Sequence, residues 1–473
     1  MVAIIRSGMI VLIANIVEVL TVLVRNIILA RLLPVEEFGL AATFAILMTM
    51  VETLQNVGLN RLVVQHPDVD DARLLAGLHG AQILVSAAAS GLLMLFAWPF
   101  SLAMGTAGLA PAYLALSLVP MVNAFTHLDV FRVQRHGRFG PQALRALLSQ
   151  PIGLLAVFPG YWWFGDHRAA LVAIIAQQAA AAALTHIAVT TPYRIRFDAA
   201  IWRTVAAFGW PLVASGLLMF LILNGDRMIV LNQFGAAALG WFSAATMLTL
   251  TPANLVAKSL QTVALPPLVR AGTDGRRFQA LYDACVGATA WIAMAMVGGT
   301  WLLGAPILIF LFGPRYLPAS TFLVALACMN AMRLFRAVPA TAAMARGDPR
   351  NSLYTNLVRV IGVPLAFVAA LLTEQIAMMI AVGIIAEVAS AALAGVLADR
   401  RCGAARRPFG TILTWLSACF AAILIGTWYN SHALVALLPF TVLLGAQSLR
   451  TLPMPWNPAP SLRRPAVSRT GER

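Results

Sequence analysis

Run after run of apolar residues, each long enough to cross a bilayer, restricts this chain more than any other feature. A helix needs about 20 apolar residues to span roughly 30 Å of hydrocarbon. Between polar breaks, such runs fall near 8–32, 39–63, 75–99, 110–131, 142–164, 169–190, 206–233, 240–263, 284–312, 319–339, 352–372, 375–398, 409–428 and 432–450. Of 473 residues 60% are hydrophobic and 11% charged, against about 25% charged in an ordinary soluble domain. No water-soluble fold has the interior to hide that much apolar surface. The expected fold is therefore an all-α polytopic membrane protein of about 14 transmembrane helices. A soluble enzyme, a disordered chain and a nucleic-acid-binding protein are excluded.

The net charge of +15 then takes a membrane meaning. Lys258 is the one lysine, and every other basic residue is arginine. Cytoplasmic loops of membrane proteins concentrate Lys and Arg, which also contact anionic headgroups. With the N-terminus inside and loops alternating, the outside loops hold only Arg31, Arg168 and Arg315. With helix-end residues counted with the nearer loop, Arg25, Arg227 and Arg359 are left within spans, and 27 of the 33 basic residues fall on the inside. The loop at 132–145, for example, holds Arg132, Arg135, Arg138 and Arg145. Both termini are expected in the cytoplasm. The first run carries Glu18 and Arg25 and precedes no small-residue cleavage site, so it reads as a retained helix rather than a leader.

All the loops are short, which leaves no room for an attached catalytic domain. There is no P-loop, no HExxH and no nucleophile elbow. Cys285, Cys328, Cys402 and Cys419 form neither a CxxC nor a Cys/His ligand spacing. No catalytic residue, metal or organic cofactor is expected. Residues 453–473, rich in Pro and Arg, read as a disordered cytoplasmic tail.

Shifting the sequence by 201 positions places Gly8, Leu20, Ile28 and Gly39 on Gly209, Leu221, Ile229 and Gly240. Leu47, Leu54 and Leu59 fall on Leu248, Leu255 and Leu260. Each copy runs helix, short outside loop, glycine at the next helix start, then a basic loop. Six helices per copy give two parallel-related lobes, residues 1–200 and 201–400, with two additional helices over 401–452. Parallel repeats of this kind are a transporter architecture.

Two segments carry a family resemblance. Residues 25–68, RNIILARLLPVEEFGLAATFAILMTMVETLQNVGLNRLVVQHPD, resemble the opening of the polysaccharide transporter family, the Wzx-type oligosaccharide flippases of the MOP superfamily. The turn there is most similar to the branch associated with exopolysaccharide export. Residues 224–248, NGDRMIVLNQFGAAALGWFSAATML, resemble the family's second-half signature, with Trp241-Phe242 where tyrosine is usual. The resemblance implies a bacterial inner-membrane protein that flips polyprenyl-diphosphate-linked oligosaccharide repeat units toward the periplasm, for exopolysaccharide or O-antigen-type synthesis. Its implied partners are the lipid-linked oligosaccharide and membrane lipids, with the polysaccharide polymerase and glycosyltransferases of the same pathway as further candidates. Coupling to protons, sodium or the membrane potential stays open.

Ionisable groups within spans are expensive and normally face a protein interior or a watery cavity. Glu18 and Arg25 share a face of the first span, seven residues apart. Thr49, Glu52, Asn56 and Asn60 form one polar stripe on the second. Asn224, Asp226 and Arg227 lie in the seventh, Arg333, Arg336 and Arg359 in the tenth and eleventh, and Glu387 in the twelfth. One reading is a wet central cavity with a cationic lining, where guanidinium forks grip a diphosphate. The other is structural, each acid neutralising an arginine of a neighbouring helix. Arg25, the leading candidate, reads either way; Asp226 and Arg227 read rather as a clamp between helices. Asp129 and Arg132 are spaced for a local ion pair. His79, His127 and His186 are scattered along the sequence, and a proton relay would need one of them.

Prolines at 120, 151, 211, 252 and 364 permit kinks, and Gly298-Gly299 would allow close helix approach. Two transport alternatives compete. A multidrug/cation antiporter of the same superfamily would need a carboxylate-dominated site, and these spans hold at least as many arginines as acids. A lipid II flippase of peptidoglycan synthesis would share the spans and the cationic cavity, but the quoted turns look less like that family. A membrane polymerase or ligase of the same pathway would carry a large periplasmic loop, and none is present.

Overall fold

A computed structural model describes residues 2–65, 71–272, 274–348, 350–403 and 406–428, with only the backbone path for 2–16 and 406–407. The described residues form helices joined by short turns, with no strand among them. Eleven stretches among them are long and apolar enough to cross a membrane. The expected run at 432–450 and the tail at 453–473 lie outside the described residues.

Helix α1 covers Val2–Leu32 and α2 Val35–Gln55. The expected second span is not one helix. It breaks at Asn56–Gly58, where Gly58 takes φ +77°, and resumes as α3, Leu59–Gln65. Helix α4, Ala72–Ala103, is continuous. The expected fourth span is broken further, into α5 (Ala110–Leu116), α6 (Leu118–Ala124) and, after a turn, α7 (Asp129–Arg135). Pro120 lies in the first turn of α6, where its missing N–H costs least.

Helices α8 (Gly140–Phe164) and α9 (Arg168–Ile187) form a hairpin around Gly165, whose φ of +71° caps α8. Helix α10, Ala199–Ala271, runs through two expected spans. No loop separates them; the chain breaks only at Gly235, with φ +84° and ψ −179°, which a side chain would resist. Then follow α11 (Gly275–Phe312), α12 (Ser320–Ala345), α13 (Arg350–Thr373), α14 (Ile376–Cys402) and α15 (Arg406–Trp428).

The chain divides into two compact units that interleave along the sequence. Among the described residues, the first takes those within 2–247, 305–322 and 363–379, and the second those within 248–304, 323–362 and 380–428.

Inside the first unit, Tyr113 is fully buried and its hydroxyl donates to Thr43 Oγ1 at 3.0 Å. The 201-residue shift reappears there as reciprocal contacts. A Cβ on Gly39 would strike the Ala236 carbonyl and come within 2.9 Å of Gly240 N, and one on Gly240 would strike the Val35 carbonyl. Val35 and Ala236 are themselves related by the shift, so each copy's glycine seats on the other copy's matching residue. Arg31 and Asn232 are a second such pair. Arg31 Nε donates to Leu311 O at 2.8 Å, at the end of α11, and Asn232 Nδ2 donates to Ala103 O at 2.6 Å, at the end of α4. Gly105 and Gly313, both with positive φ, follow those two helix ends.

The second unit is built on Phe335 and Phe409, stacked at 4.6 Å, with Phe278, Val286 and Leu416 buried around them. Gly395 makes room there, since a Cβ would meet the Phe409 ring. By contrast, Gly298 and Gly299 have nothing within 4 Å of a notional Cβ, so close helix approach is not their role. Large apolar side chains such as Leu155, Trp163, Phe310 and Leu372 remain more than half exposed. A soluble protein does not tolerate such surface, whereas lipid covers it. Trp162, 84% exposed at the end of α8, suits an aromatic interfacial belt.

Candidate functional site

Three of the four stripe residues meet in a cavity of about 320 Å³ in the first unit. Glu52 comes from α2, Asn56 from the helix break and Asn60 from α3; all three side chains are exposed there. The break preserves the stripe rather than destroying it. Gln55, Gln82, Ser86, Asn123, Thr126 and Arg145 complete the polar lining, with Phe131 beside them.

A hydrogen-bond network fixes the far wall. Gln55 Nε2 donates to Ser86 Oγ at 2.8 Å, and Asn123 Nδ2 donates to Gln55 Oε1 at 3.1 Å. Gln82 Nε2 donates to the carbonyls of Asn123 at 2.6 Å and Thr126 at 3.2 Å. Its Oε1 is buried with no protein partner. An amide left half-satisfied at a cavity wall is an acceptor waiting for a donor.

Arg145 is the residue sequence reasoning placed elsewhere. Counted with the basic loop at 132–145, it lies on the second turn of α8, within electrostatic reach of Glu52 and Glu18. The run at 142–164 already contained Arg145, and Gly140-Pro141, with proline just inside the helix start, marks it as a second-turn residue rather than a loop charge. Gln55, Gln82 and Asn123 were also missed, since only ionisable groups and the 3-4 spacing were followed. The lining of this first-unit cavity includes one arginine, Arg145, and one glutamate, Glu52.

The other candidates go to different places. Glu18 accepts from Gln150 Nε2 at 3.3 Å, and Arg25 donates from Nη1 to Gln177 Oε1; neither lines the cavity. Asn224 is buried in α10 and donates to Phe220 O at 3.2 Å. Asp226 and Arg227 follow in the same turn, half-buried, each with interaction partners.

Arg333, Arg336 and Arg359 converge on one carboxylate in the second unit. Arg333 Nε and Arg359 Nε reach Glu387 Oε1 at 2.6 and 2.9 Å, and Arg336 Nε stands 3.8 Å from Oε2. The three arginines come from α12 and α13 and the acid from α14, so the cluster ties three helices. Thr355 and Asn356 support it, accepting from Arg336 at 3.4 Å and Arg359 at 3.3 Å. Two positive charges remain in formal excess.

The histidines are not scattered in space. The rings of His79, His127 and His186 stand 5.0 and 5.3 Å apart in succession, around Tyr193. Each bonds a backbone carbonyl, of Arg194, Thr191 and Phe125 respectively. The apolar stretch of spanning character ends at Ala124, and beyond it burial holds His127 below its ordinary pKa. Burial alone would raise Asp129, but the bond and positive charge of Arg132 outweigh it and leave its pKa below the usual value. The ion pair expected between Asp129 and Arg132 is present.

Eleven helical stretches of spanning length, with a polar cavity inside the first unit, fit a multi-pass membrane protein, and the relatives are transporters. Lipid II flippase MurJ in an inward closed conformation superposes with TM-score 0.67 at 12% identity, over 94% of this chain and 97% of that one. An inward-facing multidrug resistance MATE family transporter of the MOP superfamily gives 0.65 at 16% identity, over 82% and 95%. These likenesses show a shared fold. The family described as polysaccharide biosynthesis protein matches residues 28–321, and the chain belongs to it. Among curated relatives, the succinoglycan biosynthesis transport protein ExoT of Rhizobium meliloti (strain 1021) is 24% identical over 362 residues, 70% of this chain and 72% of that protein. The resemblance to Wzx-type flippases is thereby shown, and the family and its fold neighbours are transporters rather than enzymes.

Proposed function

We propose that the protein carries polyprenyl-diphosphate-linked oligosaccharide repeat units across the bacterial inner membrane by alternating access, with both termini in the cytoplasm. The observation that carries this reading is the polar cavity built by Glu52, Asn56, Asn60 and Arg145 within the span region of the first unit. A glycan crossing hydrocarbon unaided would lose the water on every hydroxyl, at roughly 2–7 kcal/mol for each unpaired group. Amide and charged side chains inside a span replace that water. The lipid tail needs no such help, because the outer helix faces are apolar. No covalent bond changes in this task, so no catalytic residue is required. The name of the ExoT relative, a transport protein of succinoglycan synthesis, supports a polysaccharide precursor as cargo.

Deleting the gene tests the assignment. Surface polysaccharide should disappear, and undecaprenyl-linked repeat units should accumulate on the cytoplasmic leaflet. Normal polymer in a deletion strain with no second flippase gene would overturn it.

A further inference from the structure

We propose that the first-unit cavity is the glycan subsite of the transporter, reading sugar hydroxyls through amides, and that it does not hold the diphosphate. The proposal rests on the reading that the cargo is a lipid-linked oligosaccharide.

The chemistry of the lining carries the argument. An amide presents a donor and an acceptor side by side on one rigid plane, which matches two neighbouring hydroxyls, each able to give and to take a hydrogen bond. Asn56 and Asn60 project exposed amides into the space, and Gln82 offers a buried carbonyl oxygen that no protein group satisfies. Glu52 can accept from two hydroxyls at once, and Arg145 can donate to ring or glycosidic oxygens. Phe131 supplies an apolar wall for C–H faces of a sugar ring.

Charge argues against the diphosphate. Glu52 cancels Arg145, and Glu18 lies within electrostatic reach of both. An anion entering here would be set against a carboxylate, and a like charge in a partly desolvated site is repelled strongly. A neutral sugar meets no such penalty. The volume of about 320 Å³ lies at the low end of small-molecule sites and admits part of a glycan, not a whole lipid carrier. The wall is also pre-organised: the bonds joining Gln55, Ser86 and Asn123 hold it before any ligand arrives.

The test uses the full-length protein in nanodiscs and two probes. One is undecaprenyl diphosphate bearing the producing strain's own repeat unit, purified from its lipid extract. The other is bare undecaprenyl diphosphate. The double variant Asn56→Ala/Asn60→Ala should weaken binding of the glycosylated lipid by about tenfold or more, as expected for two lost hydrogen bonds, and leave the bare lipid within about twofold. Asn60→Gln, which keeps an amide, should recover part of the loss and serves if the double variant elutes as misfolded protein. Equal weakening toward both lipids would place the phosphates in this cavity and overturn the proposal. Wild-type affinity of the variants for both lipids would overturn it too, while leaving the cargo reading intact. A wild-type protein that binds neither lipid would instead sink the cargo reading, and this proposal with it.

Discussion

Arg359 and Glu387 meet inside the second unit, guanidinium Nε to carboxylate Oε1 at 2.9 Å, with both side chains less than 5% exposed. Arg333 shares that same oxygen, and Arg336 stands by the other. One acid therefore compensates three bases. Removing one partner of a buried pair costs about 3–5 kcal/mol, because the remaining charge stays desolvated. Glu387→Ala should sharply lower the amount of membrane-inserted protein and its melting temperature in detergent. Glu387→Asp should fall between. A Glu387→Ala protein as stable as wild type would mean that the cluster is solvated in the membrane.

Arg145 and Arg25 should separate by phenotype. Arg145→Ala leaves Glu52 without its counter-charge in the cavity and removes a donor fork. Losing one charged hydrogen bond costs about 1.5–3 kcal/mol, or roughly ten- to a hundredfold in affinity. Polysaccharide export per inserted molecule should fall accordingly, and Arg145→Lys should restore only part of it. Arg25 instead joins α1 to α9 through Gln177. Arg25→Ala should reduce abundance more than normalised export, and Gln177→Ala should resemble it. Loss of normalised export in Arg25→Ala at full abundance would return Arg25 to the substrate path.

Gly39 and Gly240 provide a paired packing test. At both, an added methyl meets a backbone carbonyl that cannot rotate away. Overpacking of this kind costs about 1–3 kcal/mol. Gly39→Ala and Gly240→Ala should lower the melting temperature by similar amounts, because the two contacts are reciprocal. Gly298→Ala, with open space around it, should be neutral. Equal melting temperatures for all three variants would show that the helices slide apart at no cost.

What could be read from the chain, and what could not, follows from the solvent. A helix in lipid must satisfy its own backbone, so length and hydropathy alone mark spans such as 75–99 and 409–428. Breaks within spans leave a weaker trace. A lone glycine at 58 or 235 looks like any other until its φ is known, because glycine also serves close packing in membranes, as at Gly395. The Glu52–Asn60 stripe was visible through helical spacing. The partners of its residues were not, since Gln82, Asn123 and Arg145 come from other helices that only the fold brings near. Counting Arg145 as a loop charge followed from assigning helix-end residues to the nearer loop, although the run at 142–164 contains it, and that concealed the arginine lining the described cavity. For Arg333, Arg359 and Glu387, both readings of their charge were open in the sequence, and the contacts made among themselves favour a shared structural role.

Arg31 and Asn232 offer a test of alternating access itself. Related by the repeat, each reaches across to the last carbonyls of a helix in the other copy, Arg31 to α11 and Asn232 to α4. A cation or amide donor at a helix C-terminus satisfies orphan carbonyls and the negative end of the dipole. Tyr316, whose hydroxyl donates to Ala30 O at 3.3 Å, reinforces the Arg31 side. If this end of the first unit must part during transport, these contacts favour the closed form and their loss shifts the balance toward opening. Leu33, fully buried next to Arg31's helix end, is the reporter. In a background lacking Cys285, Cys328, Cys402 and Cys419, a Leu33→Cys protein should react slowly with maleimide. Adding Arg31→Ala should raise that rate roughly tenfold or more, given about 1.5–3 kcal/mol for hydrogen bonds to a charged group. Asn232→Ala, a neutral contact of about 0.5–1.5 kcal/mol, should raise it less. Unchanged labelling in both variants, with export intact, would show that this end stays shut through the cycle and that access alternates elsewhere.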